Sequence, residues 1–317
     1  MGIKIDLWSD LEDILDKRLK EMKIQRKEYQ DPVMDYLRLE QRLIESKPRD
    51  VMIAKDFICP NGYEEELKYV IKCILLGKNL HSFMSRDIKQ IRNEDKLLSD
   101  WGIYHLHLSK QMDNDGFMSR SDYLLMVRID EERVYLLKIV PHKEKNVFVL
   151  KEYIQIIHDN WADTINKYRM QGIENIQEIT DDERKAFRNI NIQTCVTVED
   201  GTIYRPLGGG YMSDGTSFVT VQKYLAWKKS IEDIQKWMIN NFDMWCNSNI
   251  AFKDTLGAVK QKDIILVLFL NDMLVLQEKT TQLCIKIKWI KGKGWSVKIL
   301  SKASVFNEEW NQCGWHI

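Results

Sequence analysis

Tyr123-Leu124-Leu125-Met126-Val127-Arg128-Ile129-Asp130-Glu131-Glu132-Arg133-Val134-Tyr135-Leu136-Leu137-Lys138-Ile139-Val140 is the stretch on which the fold turns. Two apolar runs, rich in β-branched and aromatic residues, flank four polar residues. That pattern predicts a β-hairpin. Upstream, Gly102-Ile103-Tyr104-His105-Leu106-His107-Leu108 alternates with period two and predicts a third strand. A polar loop, Gln111 to Gly116, separates it from the hairpin. Downstream, Val149 to Lys167 carries Tyr153, Ile156, Ile157, Trp161 and Ile165 along one side of a helix. Before the strands come a short strand at Val51–Ala54, a helix from Glu64 to about Leu76 stopped by Gly77, and a helix over Ser85–Leu98. Helices, then three strands, then a helix predict an α+β layer, not a doubly wound parallel sheet.

On the N-terminal side, residues 1–48 read as a helical hairpin. Ser9 and Glu12 form a capping-box pattern ahead of Leu11, Ile14, Leu15, Leu19 and Met22. Asp31-Pro32 opens the second helix, with Asp as N-cap and Pro at the first helical position. Residues 49–170 form the histidine-bearing α+β unit. Residues 171–317 form a further α+β unit. It has an acidic connection over 171–188, strands at Ile192–Val198 and Ile203–Tyr204, a long helix over Val219–Trp245, and strands over Ile264–Leu300.

Lys and Arg number 47 and Asp and Glu number 47, so a general polyanion coat is excluded. With 44% hydrophobic residues the chain can bury a core and is not disordered as a whole. The N-terminus lacks the apolar run of a signal peptide, and no apolar run is long enough to span a bilayer, so a cytoplasmic protein without a membrane partner is expected. The six cysteines are widely spaced, with no metal-type pair, which predicts reduced thiols.

Five of the six histidines fall between His81 and His158. His105 and His107 stand two apart on the predicted strand, so both rings face one side of the sheet. Polar rings on a strand face must be hydrated, paired or used. Cleavage of RNA through its 2′-hydroxyl needs a base, an acid and a cation on the phosphorane-like transition state. His105 and His107 supply the acid–base pair. Arg120 supplies the cation if the two strands pair antiparallel, and Ser121 a hydroxyl to orient phosphate. No cofactor is needed. Two alternatives stay open. The His-x-His pair could instead ligate a metal with His142 or His158, or the histidines could be structural in a non-enzymatic sensor or partner-binding protein.

Asp100-Trp101-Gly102-Ile103-Tyr104-His105-Leu106-His107-Leu108, followed by Arg120, Leu124-Leu125 and Ile156-Ile157-His158-Asp159-Asn160-Trp161, resembles bacterial toxin or phage-defence proteins with a DWGIxHLHL…R…IIHxNW pattern. These are similar to the RelE/barnase-like endoribonuclease superfamily. The resemblance spans roughly 60 residues. It implies a small α+β core that cuts RNA without metal, with His105, His107, Arg120 and His158 in the site. It also implies an antitoxin or a phage-derived trigger protein as partner, with a homo-oligomer left open.

Two features of the last segment point to phosphate. Gly208-Gly209-Gly210, with Ser217 just before a helix, predicts a loop whose amides could cradle an anion, although the P-loop Lys-Ser/Thr pair is missing. From Lys279 to Phe306 there are seven lysines and no acid. Lys286 and Lys288 alternate with Ile285, Ile287 and Trp289, so the lysines line one strand face and the tryptophan could stack on bases. Lysines protecting an exposed sheet would give the same pattern.

Overall fold

The computed structural model describes residues 2–24, 26, 30–91, 94–173, 177–248, 261–270, 273–290 and 294–300. In chain order the elements are β1 (Gly2–Ile5), α1 (Leu7–Glu21), α2 (Pro32–Arg42), β2 (Asp50–Ile53), α3 (Glu64–Leu75), α4 (Lys96–Trp101), β3 (Ile103–His107), β4 (Tyr123–Ile129), β5 (Arg133–Pro141), α5 (Glu152–Ile165), α6 (Asp181–Asn189), β6 (Val196–Thr197), β7 (Ile203–Tyr204), α7 (Phe218–Ser248), β8 (Gln261–Leu270), β9 (Met273–Glu278), β10 (Cys284–Ile290) and β11 (Gly294–Leu300). This is an α+β chain. Among the described residues no helix is long and apolar enough to cross a membrane.

Two compact units emerge, and they cut the chain differently from the consecutive segments 1–48, 49–170 and 171–317. One unit joins Met1–Tyr36 to Lys223–His316, and the other is Leu37–Gln222. The reason is a long-range strand pairing: β1 runs parallel to β8, with Gly2 opposite Gln261 and Ile5 opposite Ile264. Hydrophobic period reports which face of an element is buried, not which distant element it meets.

In the first unit, β1-β8-β9-β10-β11 form one sheet, antiparallel after its first pair. Helix α1 buries Leu7, Leu11, Leu15 and Leu19, spaced four apart on one stripe. Its N-cap is Asp6, which accepts from the Ser9 amide at 3.2 Å, so the expected cap at Ser9 moves one turn back. A side-chain oxygen of Asp10 accepts from the amide of Leu266 in β8 at 2.8 Å. Asp31 caps α2 as expected, accepting from the amides of Val33 and Met34. Arg26 ties the two helices together through ion pairs with Asp16 and Asp35.

The second unit holds the sheet β2-β5-β4-β3. The β4–β5 hairpin and the antiparallel β3–β4 pair are as expected, while β2 adds a parallel edge to β5. Its core gathers Trp101, Ile103, Leu124, Met126, Tyr135, Leu137, Tyr153, Ile154 and Ile157 between the sheet and the helices α4 and α5. Gly77 ends α3 with a positive φ of 63°, and a Cβ there would meet the Pro48 nitrogen at 2.4 Å. Ser85–Leu98 is not one helix. A 3₁₀ turn covers Arg86–Lys89, and α4 starts afresh behind Asp95, whose carboxylate accepts from the Leu98 amide at 3.0 Å. A carboxylate that caps competes with a helix running through it. The expected Ile192–Val198 strand shortens to β6, and the acidic connection holds α6, opened by a Thr180–Glu183 capping box.

Candidate active site

Strand β3 is an edge of its sheet, and a cavity of about 630 Å³ lies along it. That volume is in the range of small-molecule pockets, roughly 300–1,000 Å³. Period-two alternation puts Leu106 and Leu108 in the core and His105 and His107 on the cavity wall. A third imidazole, His142, joins them from the segment after β5. Its ring stacks on that of His107 with centroids 5.9 Å apart and planes 21° apart. His105 lies against the ring of Phe148 at 5.2 Å, and its Nδ1 is 3.8 Å from Asp95 Oδ2.

The rest of the wall mixes charge with apolar surface. Glu94, Asp95, Lys96 and Leu97 come from the entry to α4, Val147–Val149 from the turn before α5, and Lys185 and Arg188 from one face of α6. Arg42 and Arg38 bring positive charge to Glu94, whose carboxyl burial pushes up and the two arginines pull back. Lys96 is pushed down by burial and by Arg188 beside it.

Among the histidines of the cavity, His107 is strongly perturbed. Burial takes its pKa down to about 4, and the positive charges of His105, His142, Arg120 and Arg86 act in the same direction. Its imidazole is therefore neutral at pH 7. Its Nδ1 is buried without a hydrogen-bond partner among the described residues, which leaves Nε2 as the nitrogen a substrate could meet.

The Asp100-Trp101-Gly102 segment does not line the cavity but holds Arg188, which does. Asp100 is fully buried and pairs with Arg188 through Nε and a second guanidinium nitrogen, both at 2.7 Å. The Arg188 guanidinium lies 4.2 Å from the centre of the Trp101 ring and also donates to the Phe148 carbonyl. Gly102 closes α4 in the left-handed conformation, φ 67°, and lets the chain turn at once into β3.

Not every residue expected in the site is there. Arg120 is exposed in the loop before β4. It acts on His107 through its charge but does not line the cavity. The Ser121 hydroxyl is spent on the backbone: it accepts from the Leu108 amide at 3.0 Å and donates to the Tyr123 carbonyl at 2.5 Å. His158 lies apart, its Nδ1 2.9 Å from the Tyr204 hydroxyl and its Nε2 3.3 Å from Asp200. His81 is a core residue bonded to the Ile44 backbone. Among the described residues no set of three His, Cys, Asp or Glu side chains is placed to hold a metal ion.

The glycine loop serves packing. Gly208 donates to the Asp100 carbonyl at 2.9 Å and Gly210 to the Ser99 carbonyl at 2.8 Å, so these amides are already engaged. Gly209 donates to the Pro206 carbonyl at 3.3 Å. Ser217 is buried and accepts from Gln41 at 2.6 Å. In the other unit, the register of β10 with β11 puts Lys286 opposite Lys298 and Lys288 opposite Ser296. Trp289 is opposite Trp295, but both tryptophan side chains lie outside the described residues, as do Lys291, Lys293 and Lys302.

His142, named in sequence only as a possible third metal ligand, joins the pair here, and the cavity residues that sequence reasoning missed are Asp95, Phe148 and the α6 cations. Asp95 carried a signal, as an acid just ahead of a helical segment. Lys185 and Arg188 are three apart, the spacing of one helix face. Comparison with protein-family models, with curated proteins and with solved structures finds no match.

Proposed function

We propose that the β3 cavity is the centre of a metal-independent endoribonuclease of toxin or anti-phage defence type. The observation that carries this reading is the gathering of His105, His107 and His142 in one cavity, with His107 held neutral and His105 beside a carboxylate. Transesterification of RNA requires a neutral base to take the 2′-hydroxyl proton and a second group beside it to deliver a proton to the leaving oxygen.

His107, neutral at pH 7, takes the proton of the ribose 2′-hydroxyl at Nε2. The 2′-oxygen attacks phosphorus, the bond to the 5′-oxygen breaks, and His105 gives that oxygen its proton. The products are a 2′,3′-cyclic phosphate and a free 5′-hydroxyl. Asp95 Oδ2 stands 3.8 Å from His105 Nδ1 and contributes negative charge beside that ring. Lys185, exposed at the cavity wall, is the nearest match to the required cation, with Arg120 adding longer-range positive charge. The likeness of the Asp100–Leu108 segment to RelE/barnase-like endoribonucleases supports the same chemistry. Lys286 and Lys288, in the other unit, are a separate proposed salt-dependent contact for nucleic acid.

The test is cleavage of a fluorogenic RNA by purified protein in EDTA. Cleavage is expected, with a loss of roughly 10²- to 10⁴-fold in His107→Ala at retained fold. A normally folded protein that cuts no RNA under any metal condition overturns the proposal. Activity abolished by EDTA overturns its metal-independent part.

A further inference from the structure

Phe148 stands on the cavity wall. It is 40% exposed, while its neighbours Val147 and Val149 are each 5% exposed and anchored in the core. Its carbonyl accepts from the buried guanidinium of Arg188, which fixes the backbone at that point. The phenyl is therefore held outward by its surroundings. A phenyl fixed on a cavity wall offers an apolar face to whatever the cavity takes up. His105 meets the phenyl at a tilt of 58° with ring centroids 5.2 Å apart, and both line the cavity. Lys96 and Lys185 line the same cavity, so an aromatic platform, imidazoles and cations occur together.

We infer that Phe148 is a stacking platform for the base of one unpaired nucleotide, so that the substrate is single-stranded or looped RNA. An aromatic face recognises any base, while the imidazoles and lysines suit the phosphate beside it. A base inside a duplex could not reach the phenyl without leaving its stack. The inference rests on reading this cavity as the endoribonuclease centre, and it specifies what that centre takes.

Binding can be measured apart from cleavage. The four nucleoside 3′-monophosphates, ribose 5-phosphate and inorganic phosphate are titrated into the full chain by calorimetry, with EDTA present. At least one nucleotide should bind more tightly than ribose 5-phosphate, by roughly 5- to 150-fold. Phe148→Ala should erase that difference and Phe148→Trp should keep it, with melting curves confirming that both fold. Equal affinity for nucleotides and ribose 5-phosphate, or no nucleotide binding by the wild type, overturns the inference. An advantage that survives in well-folded Phe148→Ala overturns it too. Nucleotide binding with the expected Phe148 dependence, but without RNA cleavage, would instead sink the endoribonuclease reading and leave the base platform standing.

Discussion

Asp95 uses its two carboxylate oxygens for two purposes: Oδ1 caps α4 by accepting from the Leu98 amide at 3.0 Å, and Oδ2 faces His105 Nδ1 at 3.8 Å. Asp95→Asn keeps a capping oxygen and removes the charge. Its melting temperature should stay within a few degrees of wild type, while RNA cleavage drops about tenfold, equivalent to ~1.4 kcal/mol of transition-state stabilisation. Asp95→Ala should add a capping loss of roughly 0.5–2 kcal/mol. Equal activity in Asp95→Asn and wild type would remove Asp95 from the mechanism.

The pH dependence follows from His107. A base with a pKa of about 4 stays competent down to that pH, so the acid limb of kcat/KM should bend near pH 4 and not near 6.5. The stability sign is separate. A histidine whose folded pKa is depressed costs nothing above its unfolded pKa, about 6.5. Below that the unfolded chain binds the proton and the folded chain does not, so stability falls as pH drops from about 6.5 towards 4. His81, lowered by burial in the same direction, adds to the loss. Urea midpoints measured across this window should decline, and His107→Asn should decline less.

Much of the architecture around the site was legible because local signals carried it. The alternation of Ile103–Leu108 set the faces of β3, and the polar Asp130–Arg133 segment marked the hairpin. The Asp31-Pro32 pair placed the start of α2. What stayed hidden depends on distant partners. Nothing in Gly2–Ile5 names Gln261–Ile264 as its neighbour, and nothing in the sequence chose His142 over His158 as the companion of His107. Gly208–Gly210 has the composition of an anion loop. Only the bonds of Gly208 to Asp100 and of Gly210 to Ser99 reveal that its amides are used to seat it on α4. Ser121 is a similar case, since a free and a backbone-bonded hydroxyl look alike in sequence.

The glycine loop gives a prediction opposite to that of a phosphate cradle. A Cβ on residue 208 would stand 2.1 Å from the Leu98 carbonyl oxygen and 2.6 Å from that of Ser99, both backbone atoms that cannot step aside cheaply. Gly208→Ala should therefore lower stability by about 3 kcal/mol or more, read as a drop in the urea midpoint. A variant of unchanged stability with weakened RNA binding would restore the anion-loop reading.

The buried Asp100–Arg188 pair gives the last test. Asp100 is fully buried and Arg188 nearly so, and Trp101 packs under the guanidinium. Burial pushes the Asp100 carboxyl up, and Arg188 draws it back towards the charged form. Removing one partner strands the other charge. Asp100→Asn and Arg188→Met should each cost about 3–5 kcal/mol, and the double variant clearly less than their sum. Urea unfolding of the four proteins measures this coupling. Because Arg188 also holds the Phe148 carbonyl, Arg188→Met should weaken nucleotide binding as well, whereas a pair that served the fold alone would leave the affinity of the folded fraction unchanged.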